Sequence, residues 1–143
     1  MNNFSKHTVS ILIAEHQELM LGAIRECLEN RYKIAEIVKD GVSLVRAALK
    51  QPPDIAIVNA YLPKLNGLDA TAHLVKSNCP SKFLVLTSIC EPVILRTAFT
   101  VGAIGCVLHH RIAVDLPAAI ETALQGKSFI SAPLAERRTA LLL

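Results

Sequence analysis

The chain has 143 residues, of which 52% are hydrophobic and only 4% aromatic, and its formal net charge is +3 at pH 7. This length and composition predict a single globular domain with an aliphatic core, and they exclude a disordered or fibrous protein. Acidic and basic residues are interspersed without a basic stripe, so the charge gives no reason to predict a nucleic-acid-binding surface.

The cysteines and the N-terminal sequence indicate the cellular compartment of the protein. Cys27, Cys79, Cys90 and Cys106 form no C-x-x-C pair, and their spacing matches no zinc template. Cys27 and Cys106 fall in apolar runs, which predicts buried thiols in a reducing environment. The first apolar run is too short for a signal peptide, and no segment is long enough to span a membrane. We therefore expect a cytoplasmic protein without membrane contact.

Strand and helix patterns alternate along the chain. The run VSILIA at 9–14 predicts a strand, and Met20, Ile24, Cys27 and Leu28 then have the spacing of one helix face. Further strands are predicted in YKIAEIV, DIAIV, KFLVL and CVL, each followed by a helical pattern. Apolar strands in five βα repeats predict a five-stranded parallel sheet with helices on both faces. Residues 1–130 form the predicted domain, and 131–143 a linker or short C-terminal helix.

Polar residues follow four of the predicted strands. Glu15 and His16 follow the first strand, Asn59 ends the third, Thr87 ends the fourth and His109 follows the fifth. In a doubly wound sheet the carboxyl ends of the strands share one edge, where binding sites form. These five side chains are therefore the candidate site.

The stretches that carry these residues resemble the receiver domains of bacterial two-component response regulators. They are ILIAEHQELM, PDIAIVNAYLPKLNGLDAT, FLVLTS and AFTVGAIGCVLHH. The resemblance extends from Val9 to about Ser131 and is greatest to the subfamily whose receivers precede a LuxR-type helix-turn-helix domain. It implies a CheY-like (flavodoxin-like) α/β fold, with five strands flanked by five helices.

The resemblance also implies where the chemistry of the family would lie. Receivers accept a phosphoryl group on an aspartate after the third strand, where this chain has Asn59. The acid pair that holds magnesium corresponds to Glu15 and His16, the lysine to His109, and only Thr87 is retained. An amide is too poor a nucleophile to form an acyl phosphate, and one carboxylate is a weak magnesium site. We therefore expect a degenerate, phosphorylation-independent receiver that is not an enzyme and holds no metal or cofactor.

Each position that departs from the family pattern has more than one interpretation. Asn59 is either a hydrogen-bonded lock or a spare polar residue, and a strand-end amide favours the first. Glu15, His16 and His109 could bind a transition metal, but their spacing carries no metal signature. An ion pair between Glu15 and His109, with His109 sensing pH, is the preferred interpretation. Thr87, without a phosphate, is expected to hydrogen-bond locally.

The helix after the fourth strand contains a candidate interface. Ile94, Ala98 and Val101 suit the core, whereas Leu95 and Phe99 lie off that stripe and could form a dimer contact. The resemblance implies a homodimer as the first partner, with DNA bound only through a C-terminal domain outside this chain. Two alternatives remain: a stand-alone adaptor that docks on a kinase or another regulator, and a small-ligand sensor that uses the altered pocket.

Overall fold

The computed structural model describes residues 8–142, and the side chains of residues 8–137. Strands and helices alternate as the sequence predicts. The strands are β1 (Ser10–Ala14), β2 (Lys33–Val38), β3 (Ile55–Asn59), β4 (Lys82–Thr87), β5 (Gly105–Leu108) and β6 (Phe129–Ile130). The helices are α1 (Glu18–Leu28), α2 (Gly41–Lys50), α3 (Gly67–Lys76), α4 (Pro92–Thr100), α5 (Ile112–Leu124) and α6 (Ala132–Leu142).

The strands form one parallel sheet in the order β2-β1-β3-β4-β5-β6. One apolar cluster packs α2, α3, α4 and α6 on one face, and a second packs α1 and α5 on the other. This arrangement confirms the predicted doubly wound α/β fold. The sheet has six strands rather than five, because β6 pairs with the free edge of β5. Two residues are too few to show strand periodicity in a sequence.

Side-chain caps fix where two of the helices begin. The carboxylate of Asp40 accepts a hydrogen bond from the Ser43 N–H at 2.7 Å, which caps α2. The amide oxygen of Asn66 accepts from the Asp69 N–H at 2.8 Å and caps α3 in the same way. These local signals place the start of both helices at the carboxyl end of the sheet, beside the candidate site.

The core stripe of α4 differs from the predicted one. Leu95 is 2% exposed and Ala98 is 0% exposed, whereas Ile94 is only half-buried. The expectation that Leu95 lies off the core stripe is therefore wrong, and Phe99 is half-buried against the same core. The reason is that α6 packs on α4, with the fully buried Leu134 in the apolar cluster that contains Leu95.

The C-terminal residues 132–142 form a helix that packs on the domain. Residues 1–7 of the predicted domain, and residue 143 of the tail, lie outside the described residues. Within the part of the chain that the structure describes, no helix has the length and apolar character needed to cross a membrane.

Candidate functional site

Three of the predicted site residues meet at the carboxyl end of the sheet. Glu15 follows β1, Asn59 is the last residue of β3, and His109 follows β5. Parallel strands bring these ends to the same edge. The three side chains form a small polar site that is almost closed to solvent, because Glu15 is 0% exposed, Asn59 is 3% exposed and the His109 side chain is 12% exposed.

The Glu15 carboxylate is bonded on one oxygen only. Its Oε2 accepts hydrogen bonds from the His16 N–H at 2.9 Å, the Gln17 N–H at 3.0 Å and Asn59 Nδ2 at 2.8 Å. Hydrogen bonds to an ionised acceptor are stronger than neutral ones, so this oxygen is held firmly. The other oxygen, Oε1, is buried and has no hydrogen-bond partner among the described residues.

Asn59 is hydrogen-bonded at both ends of its amide. Its Nδ2 donates to Glu15 Oε2 at 2.8 Å, and its Oδ1 accepts from the Tyr61 N–H at 2.9 Å. The amide therefore joins the end of β1 to the loop after β3. This geometry confirms that Asn59 is a hydrogen-bonded residue rather than a spare polar one.

Two glycines pack closely against the chain between Asn59 and Leu65. A Cβ atom on Gly67 would lie 2.0 Å from the Asn59 carbonyl oxygen, and one on Gly41 would lie 1.8 Å from the carbonyl oxygen of Leu65. Either side chain would force the backbone to move. The loop between β3 and α3 is thus packed from two sides, and its close approach to the strand end requires glycine.

His109 faces the free oxygen of Glu15. Its Nε2 lies 3.8 Å from Glu15 Oε1, which is too long for a hydrogen bond, and this nitrogen also has no hydrogen-bond partner among the described residues. Burial lowers the pKa of His109, although the Glu15 charge opposes that effect and His16 adds to it. The net shift therefore favours the neutral imidazole over the charged one. The predicted contact is present, and it is an ion pair only when His109 is protonated.

His16 and Thr87 contribute less to this cluster. The His16 side chain is 35% exposed, and its Nδ1 lies 3.7 Å from Glu15 Oε2. Thr87 is fully buried, and its hydroxyl accepts a hydrogen bond from the Ile89 N–H at 3.0 Å. This bond confirms that Thr87 bonds within its own loop.

The donor atoms of the site do not fit magnesium. This ion requires near-octahedral coordination by oxygen, with one or two carboxylates. Glu15 supplies one free carboxylate oxygen, the Asn59 amide oxygen already accepts from Tyr61, and His109 supplies a nitrogen. No group of three His, Cys, Asp or Glu residues in the described part of the chain could hold a metal ion.

The sequence reasoning missed a second buried polar cluster. Asp115 is 6% exposed; Arg111 donates to it through Nε at 2.7 Å and through Nη2 at 3.2 Å. The Ser131 hydroxyl also donates to Asp115, at 2.7 Å. Burial raises the pKa of Asp115, but the hydrogen bonds and charge of Arg111 and the Ser131 bond outweigh it, and the net shift is downward. The i, i+4 spacing of Arg111 and Asp115 could have indicated this pair.

Comparisons with known proteins agree with this fold. The family model for the response regulator receiver domain matches residues 11–121. The chain is 31% identical over 128 residues to the uncharacterized transcriptional regulatory protein YvfU of Bacillus subtilis strain 168, which covers 88% of this chain and 64% of YvfU. It is 29% identical over 130 residues to the transcriptional regulatory protein DesR of the same strain, covering 90% of this chain and 64% of DesR. The chain thus spans less than two thirds of these relatives.

A solved structure has the same fold. The crystal structure of a two-component response regulator of the LuxR family from Aurantimonas sp. SI85-9A1 superposes with a TM-score of 0.89 at 23% identity, covering 95% of this chain and 99% of that one. This likeness supports the CheY-like fold. Because the family model matches more than two thirds of the sequence, from the first strand into α5, the chain belongs to the family of response regulator receiver domains.

Proposed function

We propose that this receiver domain works without phosphorylation and controls transcription through protein–protein contacts. The observation that carries the proposal is Asn59, which ends β3 at the position where the family has its phosphorylated aspartate. An acyl phosphate forms when a carboxylate oxygen attacks phosphorus. The amide of Asn59 has no such oxygen to offer.

The contacts of Asn59 support a fixed state of the site. Its amide bonds to Glu15 on one side and to the Tyr61 backbone on the other. A phosphorylated aspartate would place negative charge beside the buried Glu15 carboxylate, whereas the amide donates a hydrogen bond to it. The site is therefore held together by a neutral donor in place of a metal ion and a phosphate.

His109 supports the same interpretation. In the family, a lysine at this position is balanced by several carboxylates, whereas Glu15 is the one carboxylate in contact with His109 among the described residues. Burial lowers the pKa of His109, which favours the neutral imidazole at this position. Compared with the family pattern, Asn59 and His16 replace two acids and His109 replaces a lysine, so a lysine here would have only the Glu15 carboxylate to balance it.

The proposed partners are based on the family and on the relatives. YvfU and DesR are described as transcriptional regulatory proteins, and the chain spans about 64% of each. We propose a homodimer as the working unit, with DNA bound through a further C-terminal domain and no catalytic step in this domain. In this proposal, the regulatory signal changes either the association of two chains or the conformation of the site.

Intact-mass spectrometry after treatment with acetyl phosphate and magnesium tests the proposal. The wild-type chain should gain no phosphoryl group, because Asn59 cannot form the anhydride. A receiver domain with an aspartate at this position, treated in parallel, shows that the reagent is active. A phosphoryl group mapped to residue 59 of the wild-type chain would contradict the proposal.

A second candidate function is a small-ligand sensor. The observation that favours it is the pair of buried atoms Glu15 Oε1 and His109 Nε2, which face each other without hydrogen-bond partners among the described residues. Buried polar atoms are normally bonded. A thermal-shift screen of small polar compounds against wild type and His109→Gln separates the candidates, because a ligand bound at this site raises the melting temperature of the wild type only.

A further inference from the structure

Helix α2 has an apolar face in addition to the one that packs on the sheet. Val42, Val45, Arg46 and Leu49 have the i, i+3, i+4, i+7 spacing of a single helix face, and the buried Leu44 lies on another. Val42 is 42% exposed and Leu49 is 47% exposed, whereas Val45 is half-buried. We call Val42, Val45 and Leu49 the outer stripe of α2. The packing of the domain leaves this stripe partly open to solvent.

The outer stripe borders a groove between α2 and α3. The groove has a volume of about 320 Å³ and is lined by Val42, Val45, Arg46, Leu65 and His73. Leu65 lies in the loop between β3 and α3, and His73 lies in α3. The volume is near the lower limit for ligand pockets, about 300 Å³, so it suits an apolar side chain better than a cofactor. Exposed apolar residues that continue into such a groove are typical of an interaction site.

The two sides of this groove are already held together in the domain. Gly41 begins α2, and its N–H donates to the Pro63 carbonyl at 3.1 Å. A Cβ atom on Gly41 would lie 1.8 Å from the Leu65 carbonyl oxygen, so the helix and the loop are in direct contact. The Asp40 carboxylate, which accepts from the Ser43 N–H, caps the same helix. A partner can therefore bind without first ordering this part of the domain, which lowers the free-energy cost of association.

A second groove, on the other side of α2, is basic. It lies between β2 and α2, has a volume of about 390 Å³, and its lining includes Lys39, Arg46 and Lys50 together with the acidic Glu36. Lys39 pairs with Glu18. Arg46 and Lys50 are exposed and have no ion-pair partner within residues 8–137. Because Arg46 lines both grooves, the apolar groove is bordered by positive charge that the domain does not balance.

We propose that the outer stripe and the two grooves beside it bind an acidic amphipathic helix of a partner protein. Apolar side chains of the partner helix cover Val42 and Leu49 and enter the apolar groove, and its carboxylates pair with Arg46 and Lys50. The charge of the surface selects an acidic partner, because a positive patch attracts carboxylates. The apolar stripe selects an amphipathic helix, which binds a groove through residues at i, i+3, i+4 and i+7.

Two other classes of partner fit this surface less well. A nucleic acid would contact Arg46 and Lys50 through its phosphates, and phosphate contacts leave the outer stripe uncovered. An anionic membrane takes up an apolar face that projects from a protein, whereas Val42 and Val45 line a recess. The inference rests on the protein–protein contacts in the proposed function, and it adds the surface and the chemistry of one partner.

A synthetic peptide tests the surface on the full chain. The fluorescein-labelled peptide is about 15 residues long, with leucine at helical i, i+3, i+4 spacing and glutamate at the other positions. A peptide with lysine in place of every glutamate is its control. In fluorescence anisotropy, the glutamate peptide should bind at least about tenfold more tightly than the lysine peptide. Its affinity should fall as the salt concentration is raised, because salt screens exposed charges.

Two variants at exposed residues separate the charged contact from the apolar one. Arg46→Glu reverses the charge that both grooves share and should weaken binding of the glutamate peptide about tenfold. Val42→Ser removes part of the outer stripe and should weaken it about fivefold. The matched controls are Lys127→Glu, in the exposed turn after α5, and Val114→Ser, at a valine of α5 that is 68% exposed. Both controls should keep the wild-type affinity.

Loss of affinity in Arg46→Glu and Val42→Ser, with both controls unchanged, supports the proposal. A glutamate peptide that does not bind, or that binds no better than the lysine peptide, overturns it. A loss in only one variant, or equal losses in the variants and their controls, also overturns it.

Vesicles of phosphatidylserine and phosphatidylcholine test the membrane alternative. Wild type that sediments with them, while Arg46→Glu and Val42→Ser do not, would assign the surface to a membrane and overturn the proposal. The phosphorylation test is independent of these results: a phosphoryl group on residue 59 would remove the proposed function and leave the peptide affinities as they stand.

Discussion

Glu15 and Asp115 are both buried carboxylates, but their surroundings differ. Both oxygens of Asp115 are hydrogen-bonded, to Arg111 and Ser131, and a cation lies beside them. Among the described residues, Glu15 has three hydrogen bonds on one oxygen and none on the other, and the His109 imidazole faces the unbonded oxygen at 3.8 Å. Asp115 therefore has partners on both oxygens, one of which is a cation, whereas the Glu15 carboxylate leaves one oxygen unbonded within residues 8–137. The two should therefore respond differently to the same chemical change.

The largest effect is expected for Asp115→Asn. The amide keeps the size of the side chain but removes the charge that balances Arg111, and it weakens the bond from Ser131. We expect a loss of about 2 kcal/mol in the free energy of unfolding, the scale of a hydrogen bond to a charged group. Urea denaturation at neutral pH measures it. Glu26→Gln, on the exposed face of α1, is the control and should change stability by less than about 0.5 kcal/mol. Equal stability of Asp115→Asn and wild type would show that the contact is not structural.

A smaller effect is expected for the matched change Glu15→Gln. The amide oxygen can accept the bonds now made to Oε2, and the new NH₂ group faces the neutral His109 nitrogen. No cation is left unpaired by the loss of charge. The free energy of unfolding should stay within about 1 kcal/mol of wild type in the same urea experiment. A loss as large as that of Asp115→Asn would remove the distinction between the two carboxylates.

The smallest effect is a pH dependence that separates the two sites. The folded-state pKa of His109 lies below its ordinary value of 6.5, so the folded chain binds fewer protons at this residue than the unfolded chain does. The free energy of unfolding therefore decreases as the pH falls below 6.5 toward the lowered pKa of His109. Asp115, whose pKa is lowered from 3.8, loses its contribution only in more acidic solution.

Denaturation of wild type and His109→Gln at about pH 7.5 and about pH 5.5 isolates this contribution. Wild type should lose more stability between the two conditions than the variant. The groups that face His109 are the Glu15 carboxylate and the His16 imidazole, and both are present in each protein. The same loss in both proteins would assign the acid sensitivity to other histidines.

The sequence predicts the fold well because long apolar strands and capped helices leave strong local patterns. It also predicts that Glu15, Asn59 and His109 meet, since parallel strands end at one edge. It does not predict β6, which has two residues, or the packing of α6 on α4. Leu95 is buried in the same apolar cluster as Leu134 of α6, which is distant in sequence. Helical spacing alone therefore identifies the wrong core-facing residues of α4. Hydrogen bonds such as Asn59 to Tyr61 involve backbone groups, which no residue pattern identifies.

Gly41 and Gly67, which pack against the loop between β3 and α3, have a consequence for substitutions at residue 59. Gly67 lies against the carbonyl oxygen of Asn59 and Gly41 against that of Leu65, so the loop keeps this backbone packing only while both positions lack a Cβ atom. Aspartate and asparagine have nearly the same size, so an exchange between them at residue 59 leaves this backbone packing unchanged.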